Sequence, residues 1–378
     1  MPETYSDTHE SAEFSVAQAR QIVRDLFEPR PAVYWIDFLL TMSIGYIGLA
    51  LLAGAADLGP WHIVGAITGY VVAVLAFYRA VSFTHELVHL KGAAFNSFRV
   101  VWNLLCGIPF MVPSFTYYTH VEHHAKRTYG TASDGEYLPL ARQPWWAVVA
   151  YLMQPWFVPP VLMLRFLVLA PLGWLIPPFR RWLHAHASSL IMDPEYIRPL
   201  PTNKELQVWR IQEVATFLVV ATVMLAIYNG WVPSQIVVRY YLMGVGLVYL
   251  NHVRTMGAHR FVHTGRELTF LEQLLDSLNY PERPWLTCLW APVGLRYHAL
   301  HHLFPAMPYH ALDAAHHRLM AQLPPDSPYR QTKSPGLLHA LRELMSQSLA
   351  HSRQRPPSAD APPQPRSPRQ RVTSASIS

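Results

Sequence analysis

Histidine is the residue type that sets this sequence apart, with 20 in 378 residues against 24 Asp and Glu combined. Eight of them fall in three clusters: His85-Glu86-Leu87-Val88-His89, His120-Val121-Glu122-His123-His124 and His298-Ala299-Leu300-His301-His302. On a helix, spacings of three and four residues put side chains on one face, so each cluster presents converging imidazoles. Imidazole is a ligand suited to Zn, Fe, Cu and Ni. At this His frequency an HxxHH match arises by chance roughly 0.06 times per chain. Two such matches beside one HxxxH therefore point to metal chemistry rather than to surface helices that happen to be His-rich. One tetrahedral zinc takes four ligands; eight or nine imidazoles suit two ions, each with an open position for a small molecule. A ninth donor is sought in 251–263, where His252, His259 and His263 share one helical face. His259 is the first choice and His263 the second, with His252 read as a hydrogen-bonded core side chain.

The elements that must position these clusters lie in an apolar chain. Apolar residues make up 51% and charged residues 14%, against about 25% charged in ordinary soluble proteins. Twelve Trp and 19 Tyr suit a lipid–water boundary. Two distant cysteines, Cys106 and Cys288, exclude a disulfide scaffold, a zinc ribbon and a bound iron–sulfur cluster. Of the net charge of +6, residues 352–371 supply +4, so nucleic acid is not an expected partner.

Four runs are long and apolar enough to span a hydrocarbon layer of ~30 Å: 33–53, 62–83, 211–228 and 232–250. The turns at 54–61 and 229–231 hold no Lys or Arg, whereas 84–143 and 254–266 do. The positive-inside rule thus places every His-rich segment and both termini on the cytoplasmic side. The run 145–177 is broken by Pro155, Pro159, Pro160, Arg165 and Pro171 and is basic on both flanks. It reads as a re-entrant or interfacial hairpin, with two true spans as the alternative. The expected fold is therefore all-α and integral to the membrane: four transmembrane helices, the hairpin and a His-rich cytoplasmic cap. Residues 1–31 form an N-terminal segment without the pattern of a secretory signal, including a short amphipathic helix over 15–27 that either packs on the core or lies in the interface. Residues 32–322 form the main domain and 323–350 a helical extension. Residues 351–378, with six Pro among Ser and Arg, read as a disordered tail. His310, His316 and His317 are expected on the surface of a helix over 309–323.

The three clusters, in this order and with pairs of spans between them, resemble the histidine boxes of the membrane fatty acid desaturase superfamily. The stretch Gly294-Leu295-Arg296-Tyr297-His298, continuing as His302-Leu303-Phe304-Pro305, resembles the third box and its HHLFP continuation, and 251–260 resembles the NxxRTxxAHR stretch of bacterial members. The resemblance covers about residues 32–322. It implies a non-haem centre of two iron ions (Fe2+/Fe3+) in a cytoplasmic cap of a bacterial-type inner-membrane protein, with O2 as co-substrate in the oxidation of unactivated C–H bonds. It carries the ligand role to His85, His89, His120, His123, His124, His298, His301 and His302, with His259 as the ninth. In one branch an Asn four residues before that ninth His contacts iron through water; here Thr255 stands in its place. Glu86, Glu122 and Asp134 are candidates for orienting the imidazole N–H groups, with Asn251, Thr255 and His263 as further groups behind the ligands.

The implied activity is fatty acyl desaturation, in which a second hydrogen abstraction gives an alkene. Oxygen rebound would give an alcohol, so a hydroxylase, ketolase or acetylenase acting on a carotenoid or sphingoid lipid is the alternative. Electrons must come from outside, because neither a haem-binding HPGG stretch nor a cysteine cluster is present; a ferredoxin or cytochrome-type donor with its reductase is implied. The acyl chain needs an apolar tunnel, with walls expected on the second and last spans and on 102–115. A more distant rival is an intramembrane zinc protease, because His85-Glu86-Leu87-Val88-His89 is also HExxH, with Glu86 as general base. That reading needs a further ligand, for which Asp276 is a weak stand-in, and leaves six of the clustered histidines without a role. A metal-sensing membrane protein would favour loose His tracts over boxes at the ends of spans.

Overall fold

A computed structural model describes residues 14–54, 58–90 and 92–354. The expected disordered tail, from residue 355 on, lies outside the described residues, as do 1–13, 55–57 and Lys91. Among the described residues the structure is helical, with isolated β-bridges and no strand.

Four long helices correspond to the four expected spans: α1 (Pro31–Ala53), α2 (His62–His89), α3 (Asn203–Tyr228) and α4 (Ser234–Met256). Three of them run further than the hydropathy pattern shows. α2 continues six residues past 83 and carries the first His cluster on its last turns; α4 continues to Met256; α3 begins at Asn203 behind a capping box in which Thr202 and Glu205 satisfy each other's backbone N–H groups. Hydropathy ends where the apolar layer ends, but the backbone hydrogen-bond ladder does not. The end of α2 is fixed by Arg99, which donates to the carbonyls of Leu87 at 3.0 Å and Leu90 at 3.1 Å.

α1 and α2 pack backbone to backbone through small residues. A Cβ on Gly48 would lie 2.7 Å from the Ala73 nitrogen, and one on Gly69 would lie 2.5 Å from the Leu52 nitrogen. Lipid supplies no hydrophobic drive between helices, so such close contact is how they gain packing energy.

A fifth helix, Val158–Leu175, is also long and apolar enough to cross a membrane. Its surroundings make it one arm of the expected hairpin. Residues 143–145 leave the cap, where the Ser348 hydroxyl donates to the Gln143 carbonyl at 2.8 Å and the Trp145 N–H donates to Ser352. The chain then descends along α4: Tyr151 stacks on His252, and the Tyr241 hydroxyl donates to the Trp156 carbonyl at 2.7 Å. Tyr241 lies roughly 22 Å below Met256 at 1.5 Å per residue. The returning arm passes Arg165, which is paired with Glu213 at 2.6 Å, and regains the cap where Leu190 and Met192 donate to the Thr116 and Gly135 carbonyls. Entry and exit are on one side, and a π-helical turn at Arg165–Leu169 breaks the arm where its charge is buried.

The N-terminal helix, Val16–Ile22, is capped by Ser15, which accepts from the Gln18 N–H at 3.2 Å. It packs Ala19 and Val23 against Leu319 and Phe304 of the cap, so the core-packed reading holds. Replacing Gly69 by Ala should cost about 1–3 kcal/mol, because backbone atoms cannot step aside. Gly244→Ala, whose Cβ would meet nothing nearer than Pro159 at 3.6 Å, should be neutral. Thermal unfolding midpoints of the detergent-solubilised variants check the contrast.

Candidate metal centre

The cap brings nine histidines into two groups. His85, His89, His120, His124 and His301 form one, and His123, His259, His298 and His302 the other; within each, the ligand nitrogens lie within 4.8 Å of one another. The groups abut, with the His124 and His302 rings 4.2 Å apart. The second and third clusters alternate: His120, His124 and His301 join the first group, whereas His123, His298 and His302 join the second. In both clusters the two residues four apart stay together and the remaining histidine joins the other group. Those helices are His120–His123 and His298–Leu303, only four and six residues long, so the cap and not the helices themselves sets their aim.

Two backbone devices aim the later ligands. Phe261 adopts φ 55°, turning the chain just after His259. Gly294 adopts φ 72° and packs so tightly that a Cβ would meet Tyr309 Cβ at 2.9 Å, which places Leu295–Tyr297 ahead of His298. Asn279, fully buried, accepts from the Leu300 N–H at 3.1 Å and donates to Thr332 at 2.9 Å, pinning the third cluster to the residue 332 segment.

The nitrogens facing each other are all Nε2. His259 and His298 approach to 2.8 Å, His298 and His302 to 3.1 Å, His123 and His259 to 3.2 Å, His120 and His124 to 2.9 Å, and His124 and His301 to 3.1 Å. Ligand nitrogens about 2.1 Å from a shared ion would stand at comparable separations, so these spacings fit residues that would hold metal ions. Behind them, Nδ1 of His123 meets Asp134 at 2.8 Å and Nδ1 of His120 meets Glu136 at 2.8 Å. Nδ1 of His259 meets the Tyr129 hydroxyl at 2.8 Å, which in turn donates to Asp276 at 2.7 Å. An acceptor at Nδ1 holds the proton there and leaves the Nε2 lone pair pointing inward. Arg254 reverses this polarity at His298: it carries donors only, and its Nη2 lies 3.1 Å from Nδ1, so that nitrogen accepts.

Electrostatics keep most of the array neutral. Burial, followed by repulsion from neighbouring imidazoles, holds His120, His124, His298, His301 and His302 well below the usual His range. Burial lowers His259 to about 4 against the pull of Asp276. Burial also opposes charge on His123, but there the Asp134 carboxylate outweighs it and the pKa is raised. Both ring nitrogens of His85, and Nδ1 of His124 and His301, are buried without a hydrogen-bond partner among the described residues. Each such group costs about 1–3 kcal/mol unless something binds it. A buried set of neutral, inward-facing imidazoles with uncompensated nitrogens fits a pair of divalent cations, one with five nitrogen donors and one with four.

The other expected groups lie elsewhere. Glu86 accepts from the Tyr34 hydroxyl at 2.7 Å and from the Tyr309 N–H at 3.1 Å, on the side of α2 that faces α1; that is not the place of a protease's general base. Glu122 accepts from Tyr196 at 2.5 Å. Asn251 is exposed, Thr255 is partly buried at the end of α4, and His263 stands outside both groups with Nε2 3.8 Å from Asp276. His252 bonds the Val248 carbonyl at 3.0 Å, as a core His would. His316, expected at the surface, is buried and bonded to the Tyr329 hydroxyl at 2.8 Å, because the helix Leu312–Gln322 is covered on that face by the N-terminal helix and the residue 329 turn. Sequence reasoning missed Glu136, Tyr129, Arg254 and the role of Asp276 in orienting His259. The only local signal was the Asp134-Gly135-Glu136 spacing, which puts two carboxylates in one turn.

The sequence matches the family described as Fatty acid desaturase over residues 58–333. The chain belongs to that family. This fatty acid desaturase family member is 37% identical over 343 residues to a protein named "Ceramide hydroxylase" from Caulobacter vibrioides (strain NA1000 / CB15N), covering 90% of this chain and 96% of that one. No solved structure matches it. It is an integral membrane oxidoreductase of the desaturase and hydroxylase superfamily.

Asp134→Ala should weaken metal binding about 10–100-fold, whereas Glu122→Gln should leave it unchanged; metal per chain after dialysis against a graded chelator series reads both. The metal-free protein should also lose stability as pH falls. The unfolded chain takes up protons near 6.5, whereas folded His259 resists them until about 4, so the folded state is penalised progressively across that window. Unfolding midpoints of chelator-treated protein between these pH values test it.

Proposed function

We propose that this protein hydroxylates a ceramide-type or sphingoid lipid, with O2 as co-substrate, at two iron ions held by the nine clustered histidines. The supporting observation is the pair of facing imidazole groups in a chain so similar, over nearly its whole length, to a ceramide hydroxylase. One oxygen atom enters the C–H bond and the other leaves as water, with two electrons and two protons supplied from outside. When bound, the iron ions supply the binding and reductive activation of O2 and the power to attack an unactivated C–H bond. His85, His89, His120, His124 and His301 would hold one ion, and His123, His259, His298 and His302 the other.

The chain's own residues do the rest. Asp134, Glu136 and Tyr129 fix the tautomers and ring planes of three ligands before any ion arrives. Burial in the cap keeps most of the imidazoles neutral, and the exclusion of water limits side reactions. The Lys and Arg asymmetry of the loops supports a cytoplasmic cap and cytoplasmic termini, where a ferredoxin or cytochrome-type donor with its reductase would deliver electrons. The lipid would enter from the bilayer between the spans. Fatty acyl desaturation, the first expectation from the sequence, is the second reading, and the family description favours it. The two readings differ in product: hydroxylation adds one oxygen atom to the lipid, whereas desaturation removes two hydrogens.

Expression in a sphingolipid-producing bacterial host under isotopically labelled O2, followed by lipid mass spectrometry, separates the two. A lipid heavier by one labelled oxygen atom, absent with His301→Ala, is the expected result. A lipid lighter by two hydrogens and free of label would establish desaturation instead. Loss of the product with His301→Ala should accompany loss of iron from the purified protein.

A further inference from the structure

Beside the metal centre, a cleft of about 510 Å³ opens where α4 meets the cap. Leu337 on its lining presses on Gly257, the residue that ends α4: a Cβ on Gly257 would meet Leu337 Cδ1 at 2.5 Å. Tyr280, also on the lining, donates its hydroxyl to the Gly257 carbonyl at 2.6 Å. The cleft therefore lies just beyond the hydrocarbon layer, about 10 Å above residue 250, where the apolar run of α4 ends, at the height of the polar head groups. One wall is the helix Pro284–Trp290, with Leu286 and Trp290 on the cleft; the other is the start of the helix Leu337–Gln354, with Leu338. Trp285 beside it is 73% exposed and Leu338 60% exposed, which suits side chains that meet the lipid–water boundary.

The rim is cationic. Arg283 and Arg342 both line the cleft, and among the described residues neither guanidinium makes a hydrogen bond or an ion pair. The acid on the lining, Glu282, is already paired with Lys333 at 2.7 Å. Arg283 is held in the left-handed region, φ 48° and ψ 60°, directly ahead of the helix, a conformation that non-glycine residues keep only where their surroundings impose it. Guanidinium forks match phosphate oxygens, apolar walls match the first methylenes of an acyl chain, and the bilayer supplies both in one molecule at this depth.

We propose that the cleft binds the anionic, phosphate-bearing head group of a bilayer lipid, at a site separate from the metal centre. The phosphate lies between Arg283 and Arg342, and the acyl chains run down over Leu286 and Leu338 into the bilayer. The lining also touches the segment that aims the third His cluster: Arg296, two residues before His298, donates to Thr287 at 3.3 Å, and its carbonyl accepts from the Tyr280 N–H at 2.7 Å. A lipid seated there would brace that segment.

The test uses the full chain, delipidated in a neutral detergent and compared with an Arg283→Asn, Arg342→Gln double variant. Asn tolerates the left-handed conformation at 283, and both positions are exposed, so the variant should fold with unchanged metal content. Native mass spectrometry and unfolding midpoints are read on adding phosphatidylglycerol, diacylglycerol or glycerol phosphate. Phosphatidylglycerol should be retained and should raise the midpoint of the parent protein, with the half-saturating concentration rising about tenfold or more in the variant. Equal response to diacylglycerol, or no difference between the two proteins, would overturn the proposal. Tight retention of glycerol phosphate would assign the cleft to a soluble phosphate ester and overturn the lipid assignment. As an independent measurement, a photo-crosslinking phosphatidylglycerol should label peptides from 280–290 or 334–342, and exclusive labelling elsewhere would also count against it.

Discussion

Nine imidazoles crowd together inside a buried cap, most of them held neutral, and the rest of the structure exists to make that arrangement tolerable. Left alone, such nitrogens repel or take up protons, and taking up protons would cost the desolvation of several charges in one place. The protein opposes both outcomes. Burial suppresses protonation of the facing rings, while Asp134, Glu136 and the Tyr129–Asp276 pair hold the Nδ1 protons outward on three of them. Divalent ions held there would complete the array, and the binding energy and folding energy of the cap would then be coupled.

That requirement explains why the spans do not stop at the lipid boundary. α2 must continue into the cap to carry His85 and His89, and α4 must continue to bring Arg254 against His298 and to launch His259. The cap is in turn anchored to the spans by polar contacts at the boundary. Tyr309, just beyond the third cluster, donates its hydroxyl to Asp37 of α1 at 2.7 Å and its N–H to Glu86 of α2 at 3.1 Å, while Arg79 donates to Asp37 at 2.8 Å. Charged groups at such depth are stable only when paired. Here the pairing joins two spans to the segment that follows the ligands.

The surroundings of the two imidazole groups differ, and that difference bears on chemistry. The group holding His123, His259, His298 and His302 has two anionic supports and one cationic one; the other has Glu136 behind His120 and several nitrogens with no partner. Ligand basicity and local charge tune a bound metal, so two ions held here would not be equivalent. A carboxylate-free inner set also separates this site from bundle sites built on Glu ligands.

Much of this was legible in the sequence. The His spacing, repeated three times at the ends of apolar runs, singled out the eight box histidines that the structure gathers in the cap, because i, i+3 and i+4 positions share a helical face whatever the tertiary context. Apolar run length identified the four spans, and the proline-broken run with basic flanks identified the hairpin, because lipid admits only backbone that satisfies its own hydrogen bonds. The division of the nine into five and four was not legible, since it depends on which short cap helices face each other. Nor were Glu136, Tyr129, Asp276 and Arg254, whose partners lie 16 to 147 residues away along the chain. Glu86 looked like a partner of the histidines and is not, because α2 turns it toward α1. Local spacing fixes which side chains share a face, but only packing decides what that face meets.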